Sequence, residues 1–160
     1  MGEKEKILEK SFSYEGIFLV KEVLNVIKQF AKDKGYSFEE ASHTESVKKS
    51  GRNINLKQNL KKKVSDYIKV KTTIELDFSE LNDKLVENKK YQVGKVKFTF
   101  EGALETDYEK RWESKPSFWL LRYFLEKYVY DSHLVGVKSE TSSDVDYLIK
   151  TIKAYLNMLN

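Results

Sequence analysis

The sequence predicts an α+β fold: a two-layer antiparallel β-sheet of at least four strands with about three helices packed on one face. Three observations carry this prediction. Apolar and polar side chains alternate from Asn53 to Phe78 and again from Val93 to Thr106, the period of strands with one buried and one wet face. Two other stretches repeat apolar residues at three and four, the period of an amphipathic helix. Short turn-forming clusters separate the alternating runs, so successive strands must be antiparallel.

In chain order, Phe12 and Tyr14 alternate with serines and predict a short opening strand over Lys10 to Tyr14. Val20, Val23, Leu24, Ile27, Phe30 and Ala31 predict a helix between Gly16 and Lys34, ended by Gly35 in the left-handed conformation. A second strand is expected from Tyr36 into the forties, with a hairpin turn at Lys49, Ser50, Gly51 and Arg52. From Asn53 the even positions Ile54, Leu56, Leu60, Ile68, Val70, Ile74, Leu76 and Phe78 face the core. The odd positions, including Asn53, Asn55, Lys57, Asn59, Lys61, Tyr67, Lys69, Lys71 and Thr73, face the other way. Glu87 to Lys90 form another turn before a strand from Val93 to about Thr106, where Val96, Phe98, Phe100 and Leu104 alternate with Lys95, Lys97, Thr99 and Glu101. Ser114 and Pro116 open a helix to about Tyr130 whose aromatic and aliphatic residues nearly encircle it. A last helix is expected from near Ser143 to Leu159.

At 160 residues with one proline, no low-complexity linker and no repeat, the chain reads as a single α+β domain over 1–160. Hydrophobic residues at 40% are too many for a disordered chain, and 34% charged residues supply a soluble surface. The absence of cysteine excludes disulfides, thiolate zinc sites and cysteine nucleophiles, and makes the cytoplasm the expected compartment. The charged N-terminus has no leader pattern. Lys6 stands where a myristoylation signal requires Ser or Thr, and the aliphatic runs are far too short to span a bilayer, so no membrane partner is expected.

Catalytic motifs are missing. The glycines form neither a GxxxxGK[ST] nor a GxGxxG loop. His43 and His133, near Glu45 and Asp131, read as surface histidines rather than metal ligands. Glu39 with Glu40, and Glu101 with Glu105 and Asp107, read as solvated carboxylates rather than an acid–base pair. No enzyme activity, cofactor or metal is therefore expected.

Charge is concentrated locally. The chain carries a net +4, but from Lys48 to Lys71 nine basic residues stand against the single acid Asp66, giving that stretch +8. The segments KKVSDYIK (Lys62 to Lys69) and DYEKRWE (Asp107 to Glu113) resemble a group of uncharacterised archaeal proteins of similar length. That resemblance implies no function.

Three functional expectations follow. The first is a non-enzymatic interaction protein, self-associating or protein-binding through the aromatic segment 108–130, with Trp112, Trp119, Tyr123, Tyr128 and Tyr130 as anchors. The alternative is nucleic-acid or other polyanion binding by a basic sheet face bearing Lys57, Lys61, Lys69, Lys71, Lys95, Lys97 and Tyr67. The third, from the likeness of the element order to START-like carriers, is a small apolar ligand held between sheet and helices. Each has a plain structural counterpart: lysines on a wet sheet face and its edges block aggregation, and aromatic rings at helical spacing form core.

Overall fold

The computed structural model describes residues 3–65, 68–106 and 131–158. Strand β1 (Glu3–Phe18) leads into helix α1 (Val20–Lys34). Strands β2 (Ser37–Lys48), β3 (Gly51–Lys63), β4 (Ile68–Val86) and β5 (Lys89–Thr106) form a meander, and helix α2 (Asp131–Met158) follows. The five strands form one antiparallel sheet in the order β1-β5-β4-β3-β2. Helix α1 thus carries the chain from one edge of the sheet to the other, and the meander walks back until β5 pairs with β1. This is an α+β architecture with antiparallel pairing throughout. Among the described residues the helices number two, and the helix expected over Pro116 to Tyr130 lies outside them.

The alternation from Ile54 to Phe78 and from Val96 to Leu104 does what a two-residue period must. Ile54, Leu56, Leu60, Ile68, Val70, Ile74, Leu76, Phe78, Val96, Phe98, Phe100 and Leu104 are all buried on the helix side. Phe98 stacks on Phe12 at 4.7 Å between ring centroids, and Phe100 lies 6.3 Å from Phe98 on the same face of β5. Burial of each such ring contributes on the order of 2 kcal/mol. Val23, Ile27, Phe30 and Ala31 of α1 close one side of this core. Val137, Val145, Leu148, Ile152 and Leu156 of α2 close the other.

Three element boundaries differ from the sequence prediction. The opening strand spans 16 residues rather than Lys10 to Tyr14. A register shift between Lys6 and Leu8 breaks the alternation that would have revealed its first half. Helix α1 starts at Val20 rather than Gly16, because residues through Phe18 stay paired with β5. Its first turn has no side-chain cap of its own; Val20 N–H donates to Gln92 Oε1 at 2.9 Å and Leu19 N–H to the Tyr155 hydroxyl at 3.2 Å. Gly35, at φ 77°, ends the helix as expected. Helix α2 begins at Asp131, twelve residues before Ser143. Its stripe continues through Val137 and Thr141, and the buried Thr141 satisfies its hydroxyl by donating to the Val137 carbonyl at 2.8 Å. A threonine in the apolar series concealed the first turns.

The turns match the sequence. Glu87 and Asn88 both adopt positive φ, 51° and 67°, in the two-residue hairpin between β4 and β5. Near that end β4 kinks at Glu80, whose φ is 55°. Its N–H donates to Asn53 Oδ1 at 3.1 Å. Among the described residues no helix is long and apolar enough to cross a membrane.

Candidate functional site

The face of the sheet turned away from the helices collects the charged side chains, and register decides which of them meet. At one end, Lys61 of β3 lies directly across from Lys71 of β4, and Lys63 from Lys69. Continuing across the sheet, Lys71 is opposite Ala103 of β5, and Ala103 opposite Lys6 of β1; Lys69 is opposite Glu105, and Glu105 opposite Lys4. Neighbouring strands are about 4.8 Å apart and same-face residues along a strand about 6.7 Å apart. The four lysines of β3 and β4 therefore root in a rectangle of roughly those dimensions, with Lys4 and Lys6 flanking it. Like charges directly opposed across strands are unfavourable by roughly 0.2–1 kcal/mol per pair.

Carboxylates temper this end, Glu105 from its place between Lys69 and Lys4. Glu39 of the edge strand β2 pairs with Lys61 at 3.0 Å. The hydrogen bond from Lys61, and then the charges of Lys61, Lys71 and Lys69, hold the Glu39 carboxyl below the usual glutamate value. Three lysine charges felt at one exposed carboxylate mark this corner as electropositive. Lys6 turns to Glu9. The small side chain of Ala103 leaves a depression of about 180 Å³ bounded by Lys4, Lys71, Thr73, Glu101 and Glu105.

The six lysines expected to act together share this face but not one charge environment. Lys57 lies opposite Glu75, and Lys97 opposite Asp77. Lys95 pairs with Glu80 at 3.3 Å. Only Lys61 and Lys71 of β3 and β4, with Lys69 beside Glu105, belong to the cationic end. The asparagines interleaved with these lysines are engaged within the sheet: Asn55 Nδ2 donates to Glu75 Oε1 at 3.1 Å, and Asn59 Oδ1 accepts from the Thr73 hydroxyl at 3.1 Å. Lys4, Lys6 and Lys63 were not singled out from sequence. Lys63 was within reach of it, because the hairpin that pairs Lys61 with Lys71 also pairs Lys63 with Lys69. Tyr67 and the anchors Trp112, Trp119, Tyr123, Tyr128 and Tyr130 lie outside the described residues.

The remaining polar groupings are dispersed. Glu39 and Glu40 point to opposite faces of β2, the first to Lys61 and the second to His43 at 3.5 Å. His43 also approaches Glu45 at 3.8 Å. Glu101 and Glu105 stand four residues apart on one strand, about 13 Å. Among the described residues no three His, Asp or Glu side chains gather as a metal site would require.

A separate polar group is buried beneath the sheet. The Tyr36 hydroxyl donates to Asp144 Oδ2 at 2.9 Å, joining the end of α1 to α2. Burial, then the neighbouring Asp144 carboxylate, raises the Tyr36 phenol far above its ordinary value. Lys62 lies over the Tyr36 ring at 5.3 Å and pairs with Glu140 at 3.7 Å. This network fastens α2 to the sheet and offers no open reaction site.

No protein-family model matches the chain, and no curated protein matches it. Among solved structures, an uncharacterised protein from Rhizobium leguminosarum aligns over 99% of both chains at 6% identity with a TM-score of 0.29.

Proposed function

We propose that the protein is a non-enzymatic binding protein whose open sheet face takes a polyanion at its cationic end, through backbone phosphates of nucleic acid. One observation carries this reading: Lys61 and Lys63 stand directly opposite Lys71 and Lys69, with Lys4 and Lys6 beyond, although such pairing costs stability. A face that served only solubility would do better with the alternation found further along, where Lys57 meets Glu75 and Lys97 meets Asp77. Lysines act as point charges without the bidentate fork of arginine, so the expected mode is neutralisation of phosphates with little reading of bases.

The test is fluorescence anisotropy of labelled single-stranded DNA and RNA 20-mers between ~50 and ~200 mM salt. Binding should weaken steeply with salt. Replacing Lys63, Lys69 and Lys71 by Gln should reduce the slope of log affinity against log salt by about two, whereas replacing Lys95 and Lys97 should leave it nearly unchanged. No binding at the lowest salt, or equal losses in both variants, would overturn the proposal.

A further inference from the structure

The two edges of the sheet are guarded differently. Along β2 nearly every turn of the pleat carries a charged or titratable side chain: Glu39, Glu40, His43, Glu45 and Lys48. Such side chains keep another strand from adding to an edge. On β1 the stretch Ser11, Phe12, Ser13, Tyr14 carries no charge. Its serines are small and exposed on the open face, and its two aromatic rings are half-buried on the other. On the N-terminal side the charges are occupied, Glu9 with Lys6 and Lys10 with Asp146, and on the other side Glu15 is exposed on the open face with the serines. Among the described residues, this part of the edge presents its backbone with little to obstruct an incoming chain.

A receptor for side chains lies beside it. Helix α2 runs along β1 and is tied to it by the Tyr14 hydroxyl, which reaches the Leu156 carbonyl at 3.3 Å. Between strand and helix opens a depression of about 240 Å³, lined by Phe12, Ser13, Tyr14, Lys153, Leu156 and Asn157. Its walls are apolar at Phe12 and Leu156. At its mouth the Lys153 ammonium sits 4.9 Å from the centre of the Phe12 ring and makes no ion pair among the described residues.

We propose that this groove binds an extended acidic peptide, which adds to β1 as a sixth strand and places an apolar side chain against Phe12 and Leu156 and a carboxylate on Lys153. Alternate residues of a strand share a face, so the apolar and acidic residues of the peptide stand two positions apart. Backbone pairing supplies affinity and the pocket supplies selection, the mode by which strand addition works in general. A second copy of β1 fits less well. Two-fold pairing about Ser13 would bring both Lys153 ammoniums to one side of the same seam, where they repel.

The probe is a fluorescent eight-residue peptide alternating threonine and valine, with a central leucine and aspartates two positions to either side of it. Binding is expected to shift the backbone NMR signals of residues 9–15 of the labelled protein. It should weaken at least tenfold in Lys153→Glu, and also in Lys153→Met, which keeps the contact with Phe12 but lacks the charge. A peptide methylated on alternate backbone nitrogens should fail to bind. The variant lacking Lys63, Lys69 and Lys71 should bind the peptide normally, which separates this groove from the polyanion face. Equal binding of a peptide carrying lysines in place of the aspartates, signal shifts away from β1, or a dimer joined through β1 would each overturn the proposal.

Discussion

Gln58 occupies a core position on β3 and is 2% exposed, yet among the described residues its side-chain oxygen accepts no hydrogen bond. A buried acceptor without a partner costs about 1–3 kcal/mol, so Gln58→Met, of similar length and without that oxygen, should raise stability to urea by about 1 kcal/mol. The opposite holds for Tyr36. Tyr36→Phe removes the donor to Asp144 and leaves a 7%-exposed carboxylate with less hydrogen bonding, an expected loss of about 1–3 kcal/mol. The same residue sets an alkaline limit. Its phenol is held protonated in the fold above the ordinary value of about 10, so the unfolded chain loses its proton first. The stabilisation is complete below about pH 10 and drains away as pH rises through the raised value. Burial shifts Tyr14 and Tyr155 in the same direction. Urea midpoints should fall between about pH 9 and pH 11, and fall less in Tyr36→Phe.

At the scale of elements, the kink in β4 is built around a glycine of the neighbouring strand. Gly51 has φ 135°, and a Cβ there would stand 2.7 Å from the Leu81 carbonyl oxygen. Gly51→Ala is expected to cost about 2 kcal/mol or more, read as a lower thermal midpoint, because neither the backbone angle nor the adjoining strand can yield cheaply. Turns at Gly35, at Glu87 and Asn88, and at Lys49 to Arg52 were all legible in sequence, since each depends on residues adjacent in the chain. The first half of β1 and the first three turns of α2 were not. A bulge displaced the alternation in one, and Thr141 interrupted the apolar stripe in the other. In β1 the pairing with distant β5 accommodates the locally irregular pattern, and in α2 the bond from Thr141 back to Val137 satisfies a hydroxyl in the apolar stripe.

For the whole molecule, the distribution of charge matters more than its sum. The open face is divided into a cationic end and a larger region where lysines and carboxylates oppose one another. Glu39 competes with any bound polyanion for Lys61. Glu39→Gln should tighten nucleic-acid binding at neutral pH and steepen its salt dependence by up to about one, with anisotropy titrations as the measurement. The carboxyl is held low, so its ion pair is intact above the ordinary glutamate value. It is lost only as pH falls through the lowered one, and binding should strengthen there as Lys61 is released. An unchanged salt slope in Glu39→Gln would place the binding surface elsewhere.

The antiparallel α+β architecture, the inward-facing series from Ile54 to Phe100 and the turns were determined by the sequence alone, because side-chain period and turn chemistry act over a few residues. That lysines would face solvent on these strands was equally local. Which charges meet was not. A two-residue period assigns a face but no neighbour, so the sequence grouped Lys57, Lys95 and Lys97 with Lys61, Lys69 and Lys71, while register set acids opposite Lys57 and Lys97 and lysines opposite Lys61 and Lys69. The groove beside Phe12 likewise exists only because β1 lies at the edge and α2, more than a hundred residues later, lies along it. Pairing across strands and packing between distant segments are properties of the closed sheet, and only the tertiary structure decides them.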